Sequence, residues 1–140
     1  MNAKLLDTNV LIDLTRGRSE GLTRRFAEAI DAGAALSVSV ISIYEFRFGA
    51  ERSARRESQL AGLKRFLTGT EVVEFDAADA EAAARIKADL AVRGQMIGAY
   101  DLLIAAQAIV RDQVMVTGNV REFSRVPGLA VEDWSSPQSE

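Results

Sequence analysis

With 140 residues and a net charge of −3, the chain is sized for one domain with a real core and lacks the bulk positive charge of a protein that coats nucleic acid. Hydrophobic residues at 48% and charged residues at 26% exclude a disordered or fibrous class. The absence of cysteine and histidine excludes disulfides, thiolate or imidazole metal sites, cysteine nucleophiles and Ser-His chemistry, so any catalysis falls to carboxylates.

Lys4-Leu5-Leu6 reads as a short buried strand, followed by a short helix over 10–14. The chain enters this strand without the basic, apolar and small-residue regions of a signal peptide, and no apolar run approaches the roughly 20 residues that span a bilayer. The expectation is a cytoplasmic protein without a membrane partner. Asp7 falls at the carboxyl end of the strand, the edge where ligands bind in an open α/β sheet; it reads equally as the cap of the helix that follows.

Arg16-Gly17-Arg18-Ser19 is a loop, and a helix opens at Ser19 or Glu20 and runs to about Ala32 with Leu22, Phe26, Ala29 and Ile30 inward. Residues 36–40 alternate as a strand. Ser42-Ile43-Tyr44-Glu45 matches a capping box, a structural role for Glu45; the functional alternative points Glu45 into the same strand-end cleft as Asp7. Helices over 42–54 and 57–67 follow, the second stopped at Gly69. A third strand over 72–75 leads to an alanine-rich helix over 76–93 ended by Gly94. The helix over 98–110 is apolar almost all round, yet carries Asp101 in its first turns. An ionised carboxylate there needs a partner or a wet cleft, because burying it alone costs several kcal/mol, on the order of a lost ion pair. Residues 114–117 form a fourth strand, Gly118-Asn119 a turn, and Phe123, Val126, Pro127 and Leu129 pack a loop before a last short strand at Val131. Trp134 lids the core and residues 135–140 read as a flexible tail. Strands alternating with helices predict a single α/β domain over 1–134, a three-layer α/β/α sandwich around a mostly parallel sheet of about four to five strands.

Asp7, Glu45 and Asp101 therefore share one edge of the sheet. Three carboxylates brought together repel and raise one another's pKa unless a divalent cation neutralises them. An oxygen-only site selects Mg²⁺ or Mn²⁺ over zinc, and such sites carry out phosphoryl chemistry. Phosphate loops of the Gly-x-x-x-x-Gly-Lys and Gly-x-Gly-x-x-Gly types are absent. With 20 acids in the chain, three on one side also arise by chance; the rival readings are a DNA nuclease or phosphatase using the same acids, and a non-catalytic binding module in which the acids are helix caps.

The segments Leu5-Leu6-Asp7-Thr8-Asn9, Ser42-Ile43-Tyr44-Glu45-Phe46-Arg47-Phe48-Gly49-Ala50-Glu51 and Ile97-Gly98-Ala99-Tyr100-Asp101-Leu102-Leu103-Ile104-Ala105-Ala106 resemble PIN-domain ribonucleases, specifically the VapC toxins of type II toxin–antitoxin systems. The ending from Val116-Thr117-Gly118-Asn119-Val120-Arg121-Glu122-Phe123 to Glu132-Asp133-Trp134 resembles the branch that includes initiator-tRNA-specific endonucleases. The resemblance implies a PIN-like fold and an Mg²⁺-dependent endoribonuclease, with Mn²⁺ able to substitute, held in check by a VapB-type antitoxin. It implies metal ligation by Asp7 and Asp101, with Glu45 as third acid. Asn119 stands where many relatives place a fourth acid. Thr8 would orient Asp7 or a water, and Thr117 would help place Asn119. RNA needs a basic rim, and Arg16, Arg18, Arg47, Arg52, Arg55, Arg121 and Arg125 lie in or beside the motif loops. Tyr44, Phe48 and Tyr100 are candidates to stack a splayed base. The resemblance further implies a homodimer and a toxin–antitoxin hetero-oligomer, in which an antitoxin tail crosses the cleft over Leu11, Ile12, Phe46 and Phe48.

Overall fold

The computed structural model describes residues 3–135, which run β1 (Lys4–Leu6), α1 (Thr8–Arg16), α2 (Glu20–Asp31), β2 (Leu36–Ser39), α3 (Val40–Glu51), α4 (Arg56–Leu67), β3 (Glu71–Val73), α5 (Ala77–Val92), α6 (Ala99–Arg111), β4 (Val114–Val116), α7 (Val120–Phe123) and β5 (Val131–Glu132). The five strands form one sheet in the order β3-β2-β1-β4-β5, every pair parallel. Successive side chains of a strand point to opposite faces, and the central strand divides the core accordingly. Leu5 packs with Val73, Leu90, Ile104 and Met115 on the α5/α6 side; Leu6 packs with Leu11, Val38, Phe46, Val116 and Trp134 on the side of α1 to α4. Each such burial contributes roughly 1.5–3 kcal/mol. The result is the three-layer sandwich expected, with Trp134 buried as its lid.

Topology positions the cleft. From β1 the chain steps outward through β2 to β3, then returns to the other side of β1 as β4 and continues to β5. Connections from β1 and β4 diverge, and a crevice opens at their carboxyl ends, the switch point where α/β sheets bind ligands. The register places Leu6 opposite both Val38 and Val116. The residues that follow these three, Asp7, Ser39 and Thr117, therefore emerge at one level.

Several local expectations are corrected. Ser39 caps α3, its hydroxyl accepting the Ile41 N–H at 3.0 Å, so β2 stops one residue early and α3 begins at Val40. Ser42 and Glu45 then lie inside the helix and form no capping box. A capping box does exist between Asp76 and Asp79 at the start of α5, each carboxylate accepting the other's backbone N–H. β3 ends at Val73 because the Glu74 carbonyl leaves the ladder to accept from Gln107 Nε2 at 3.2 Å and Arg111 Nη2 at 3.3 Å. The segment after Asn119 contains the short helix α7 rather than loop alone. Among the described residues no helix is long and apolar enough to cross a membrane. Of the tail expected over 135–140, only Ser135 is described, and its backbone N–H and hydroxyl both donate to Asp133 Oδ1; the rest of that segment lies outside the described residues.

Candidate active site

Asp7 ends β1 in an extended conformation and caps α1, its Oδ1 accepting the Val10 N–H at 2.8 Å. The Thr117 hydroxyl donates to Oδ2 and itself accepts the Asn119 N–H at 2.9 Å. Cap and edge residue are thus the same carboxylate, 3% exposed and held in one orientation from both sides of the crevice. Burial pushes it above the usual carboxyl range; the Thr117 and Val10 hydrogen bonds oppose this, and the charges of Asp13 and Glu45 add to it.

Glu45 reaches the crevice from the second turn of α3, where the buried Thr8 hydroxyl donates to its Oε1 at 2.6 Å. Thr8 also lies 2.9 Å from the Ser42 hydroxyl. The Thr8 hydroxyl thus meets Glu45, a partner that the expectation of Asp7 or a water did not include. Asp101 comes from the first turn of α6, where the helix dipole favours negative charge.

The fourth acid at the crevice is Glu122 of α7, which the sequence motifs do not single out. Its Oε1 accepts the Gly98 N–H at 2.8 Å and its Oε2 accepts from Asn119 Nδ2 at 2.5 Å. Asn119 is consequently a holder of this acid. The pattern Asn119-x-x-Glu122 has the spacing of a cap and its third helical residue, a local signal that points to the pairing. Asp101 is pushed up to about 7, first by burial, then by its hydrogen bond to Glu122, by the Glu122 charge, and by Asp7 and Glu45. Glu122 is lowered: burial raises it, but the Gly98 N–H, Asp101, Asn119 and the Arg125 charge together outweigh that. The pair shares a proton near neutrality. A positive charge in the crevice would favour the ionised form of Asp101.

A cavity of about 340 Å³ adjoins this point, lined by Asp7, Asn9, Asp13, Asn119, Asp133 and Trp134 among others. Among the described residues no group of three acidic side chains is close enough to hold a metal ion by itself. The available donors are carboxylate and amide oxygens, which suit a hard, hydrated cation such as Mg²⁺ that binds through a few protein ligands and keeps several waters.

The structure divides the predicted arginine rim. Arg125 donates from Nη1 to the Met96 carbonyl at 2.9 Å and accepts Arg93 through its own carbonyl, so it ties the 94–98 loop in front of α6 to the end of α7. Arg121 is exposed on α7, and Arg47 lines an apolar hollow with Ile43, Leu60 and Leu67. Arg52 lies over the Phe48 ring at 5.6 Å. Arg16, Arg18 and Arg55 line a separate cavity beyond α1. Tyr44 and Tyr100 are exposed and meet edge to face, ring centroids 5.5 Å apart. Leu11 and Phe46, expected in a docking groove, belong to the core.

The PIN domain family model matches residues 4–129. The chain belongs to the PIN domain family. Its PIN domain is 37% identical over 130 residues to the "tRNA(fMet)-specific endonuclease VapC" of Salmonella typhimurium, a match covering 93% of this chain and 96% of that protein. It is 35% identical to "Ribonuclease VapC2" of Haemophilus influenzae, with the same coverage of both chains. Among solved structures, DNA-bound VapBC from Salmonella typhimurium superimposes with a TM-score of 0.87 at 36% identity, covering 96% of this chain and 99% of that one. The parallel five-stranded sheet and its crevice are thus the PIN arrangement.

Proposed function

We propose that this PIN domain is a divalent-metal-dependent endoribonuclease, the toxin of a VapBC-type toxin–antitoxin pair, acting on RNA with initiator tRNA as the candidate substrate. The observation that carries the reading is the crevice itself: Asp7, Glu45, Asp101 and Glu122 converge at the switch point, and burial together with their mutual repulsion lifts Asp101 to about 7. A divalent cation would relieve this repulsion and favour the ionised form of Asp101. Asp7 and Asp101 would each offer a carboxylate to a largely hydrated Mg²⁺ or Mn²⁺, with Glu45 and Glu122 as further acids beside them. The ion, when bound, supplies an activated water and neutralises charge gathering on the phosphoryl oxygens.

The chain's own residues do the positioning. Thr117 and the Val10 N–H fix the plane of Asp7, Thr8 sets the reach of Glu45, and Asn119 with the Gly98 N–H holds Glu122 against Asp101. The exposed Tyr44 and Tyr100 offer an aromatic surface beside two of the acids. The relatives' names support RNA as substrate, and the VapBC structures support an antitoxin as partner. Self-association as a homodimer and a cytoplasmic setting complete the reading.

The test incubates antitoxin-free protein with tRNA, with DNA and with a phosphate monoester, each with Mg²⁺ and with chelator. RNA cleavage that chelator abolishes is expected. Cleavage of DNA or monoester alone would transfer the assignment to the rival enzymes, and no chelator-sensitive cleavage would end it.

A further inference from the structure

The cavity beyond α1 has a volume of about 450 Å³ and lies between the C-terminal end of that helix and α4, with Arg16, Arg18, Arg55 and Arg65 around it. A chain with net charge −3 thus gathers four guanidiniums at one hollow. Arg16, Arg55 and Arg65 make no ion pair among the described residues, and Arg18 approaches Asp13 only to 3.9 Å. Guanidiniums without a close carboxylate partner leave their forks free for phosphate oxygens. Ser58, Gln59 and Gly62 of α4 complete the lining of the same cavity.

We infer that this cavity binds the sugar-phosphate backbone of RNA through its arginines, whose guanidiniums would sit on successive phosphates. The place is right for a strand leaving the crevice. The cavity beside Asp7 includes Asp13 and the arginine cavity includes Arg18, so the two approach each other at that pair. The nine residues of α1 separate Asp7 from the arginines by ~13 Å at 1.5 Å per residue. The inference rests on the ribonuclease reading for its choice of occupant and adds to it a site remote from the acids.

The test uses the full chain with Arg16→Ala, Arg55→Ala and Arg65→Ala, singly and combined, and the corresponding lysine triple. Binding of bulk tRNA is measured in chelator, across a salt series, and cleavage is measured with Mg²⁺. The triple alanine variant should raise KM and Kd by about tenfold or more near 0.15 M salt, with kcat within about twofold, and should flatten the salt slope by about 0.7 for each phosphate that is no longer neutralised. The lysine triple should restore the slope and part of the affinity. All four arginines are exposed, so an unchanged melting temperature is expected and checks the fold. A triple variant with unaltered KM and salt slope overturns the inference, as does one that handles RNA normally but loses its antitoxin. If wild type cleaves no RNA while the variants still lose tRNA binding, the catalytic reading falls and this site stands; if wild type cleaves and the variants match it, the reverse holds.

Discussion

At Asp7 one carboxylate caps a helix and, in the proposed function, also carries the chemistry, and a suitable substitution separates the two. Asparagine caps a helix about as well as aspartate, so Asp7→Asn keeps the bond to the Val10 N–H while removing the charge. Under the proposed mechanism Asp7→Asn and Asp101→Asn each lower the rate of RNA cleavage by about 10³-fold, several kcal/mol of transition-state stabilisation. Melting temperatures should stay close to wild type. Activity within a few-fold of wild type would leave these acids as caps and nothing more. Glu122 shows how the site is completed: a neighbour three residues away, Asn119, supplies the amide that steadies an acid on a helix of four residues.

At the scale of elements, the crevice is kept in register by buried polar ties between helices and strand ends. Gln107 on α6 accepts from the Ser39 hydroxyl at 2.5 Å and donates to the Glu74 carbonyl, joining the helix that carries Asp101 to the cap of the helix that carries Glu45. Arg111, one turn further on, grips the fully buried Asp79 of α5 at 2.6 and 3.0 Å. Burial raises the Asp79 carboxyl, but the Arg111 hydrogen bonds, the Asp76 N–H and the Arg111 charge outweigh it and hold the group below its ordinary value. A carboxyl lowered on folding stabilises the protein above its unfolded pKa, and that stability is lost as pH falls through the folded value. Asp79→Ala should therefore cost about 2 kcal/mol at neutral pH, since it removes the carboxylate that accepts two of the Arg111 hydrogen bonds and leaves Asp76 and the Gln107 and Glu74 carbonyls to the guanidinium. In urea titrations the gap between wild type and variant should narrow as the pH drops below the usual carboxylate range. A gap that stays constant into acid would show that the charge contributes little.

The whole molecule concentrates repulsion at one edge of its sheet and stability in the two cores behind it. A cation that binds the folded crevice and not the unfolded chain raises stability by mass action, about 2.7 kcal/mol at a hundredfold excess over Kd. Melting temperature should accordingly rise with Mg²⁺ or Mn²⁺ in wild type, and Asp101→Asn should flatten the response. Equal shifts in both proteins would place the ion elsewhere. The arginine cavity at the opposite end of α1 gives the same molecule a basic surface despite its acidic total.

The alternation of strand and helix, the leucines of β1 and the positions of Asp7, Glu45 and Asp101 were legible in the sequence because periodicity and strand ends are local properties, set by neighbours a few residues away. The cap at Ser39 was local too, yet the Ser42-x-x-Glu45 pattern competed with it, and only the packing of α3 against the sheet chose between them. Tertiary structure alone decided that Thr8 serves Glu45, 37 residues away, that Arg125 ties down the loop at Met96, 29 residues away, and that Glu122 meets Gly98, 24 residues away. It also turned scattered arginines into one cavity. Such pairings carry no local signature, since the hydrogen bond or charge that selects them exists only once the chain has brought distant segments within a few ångström.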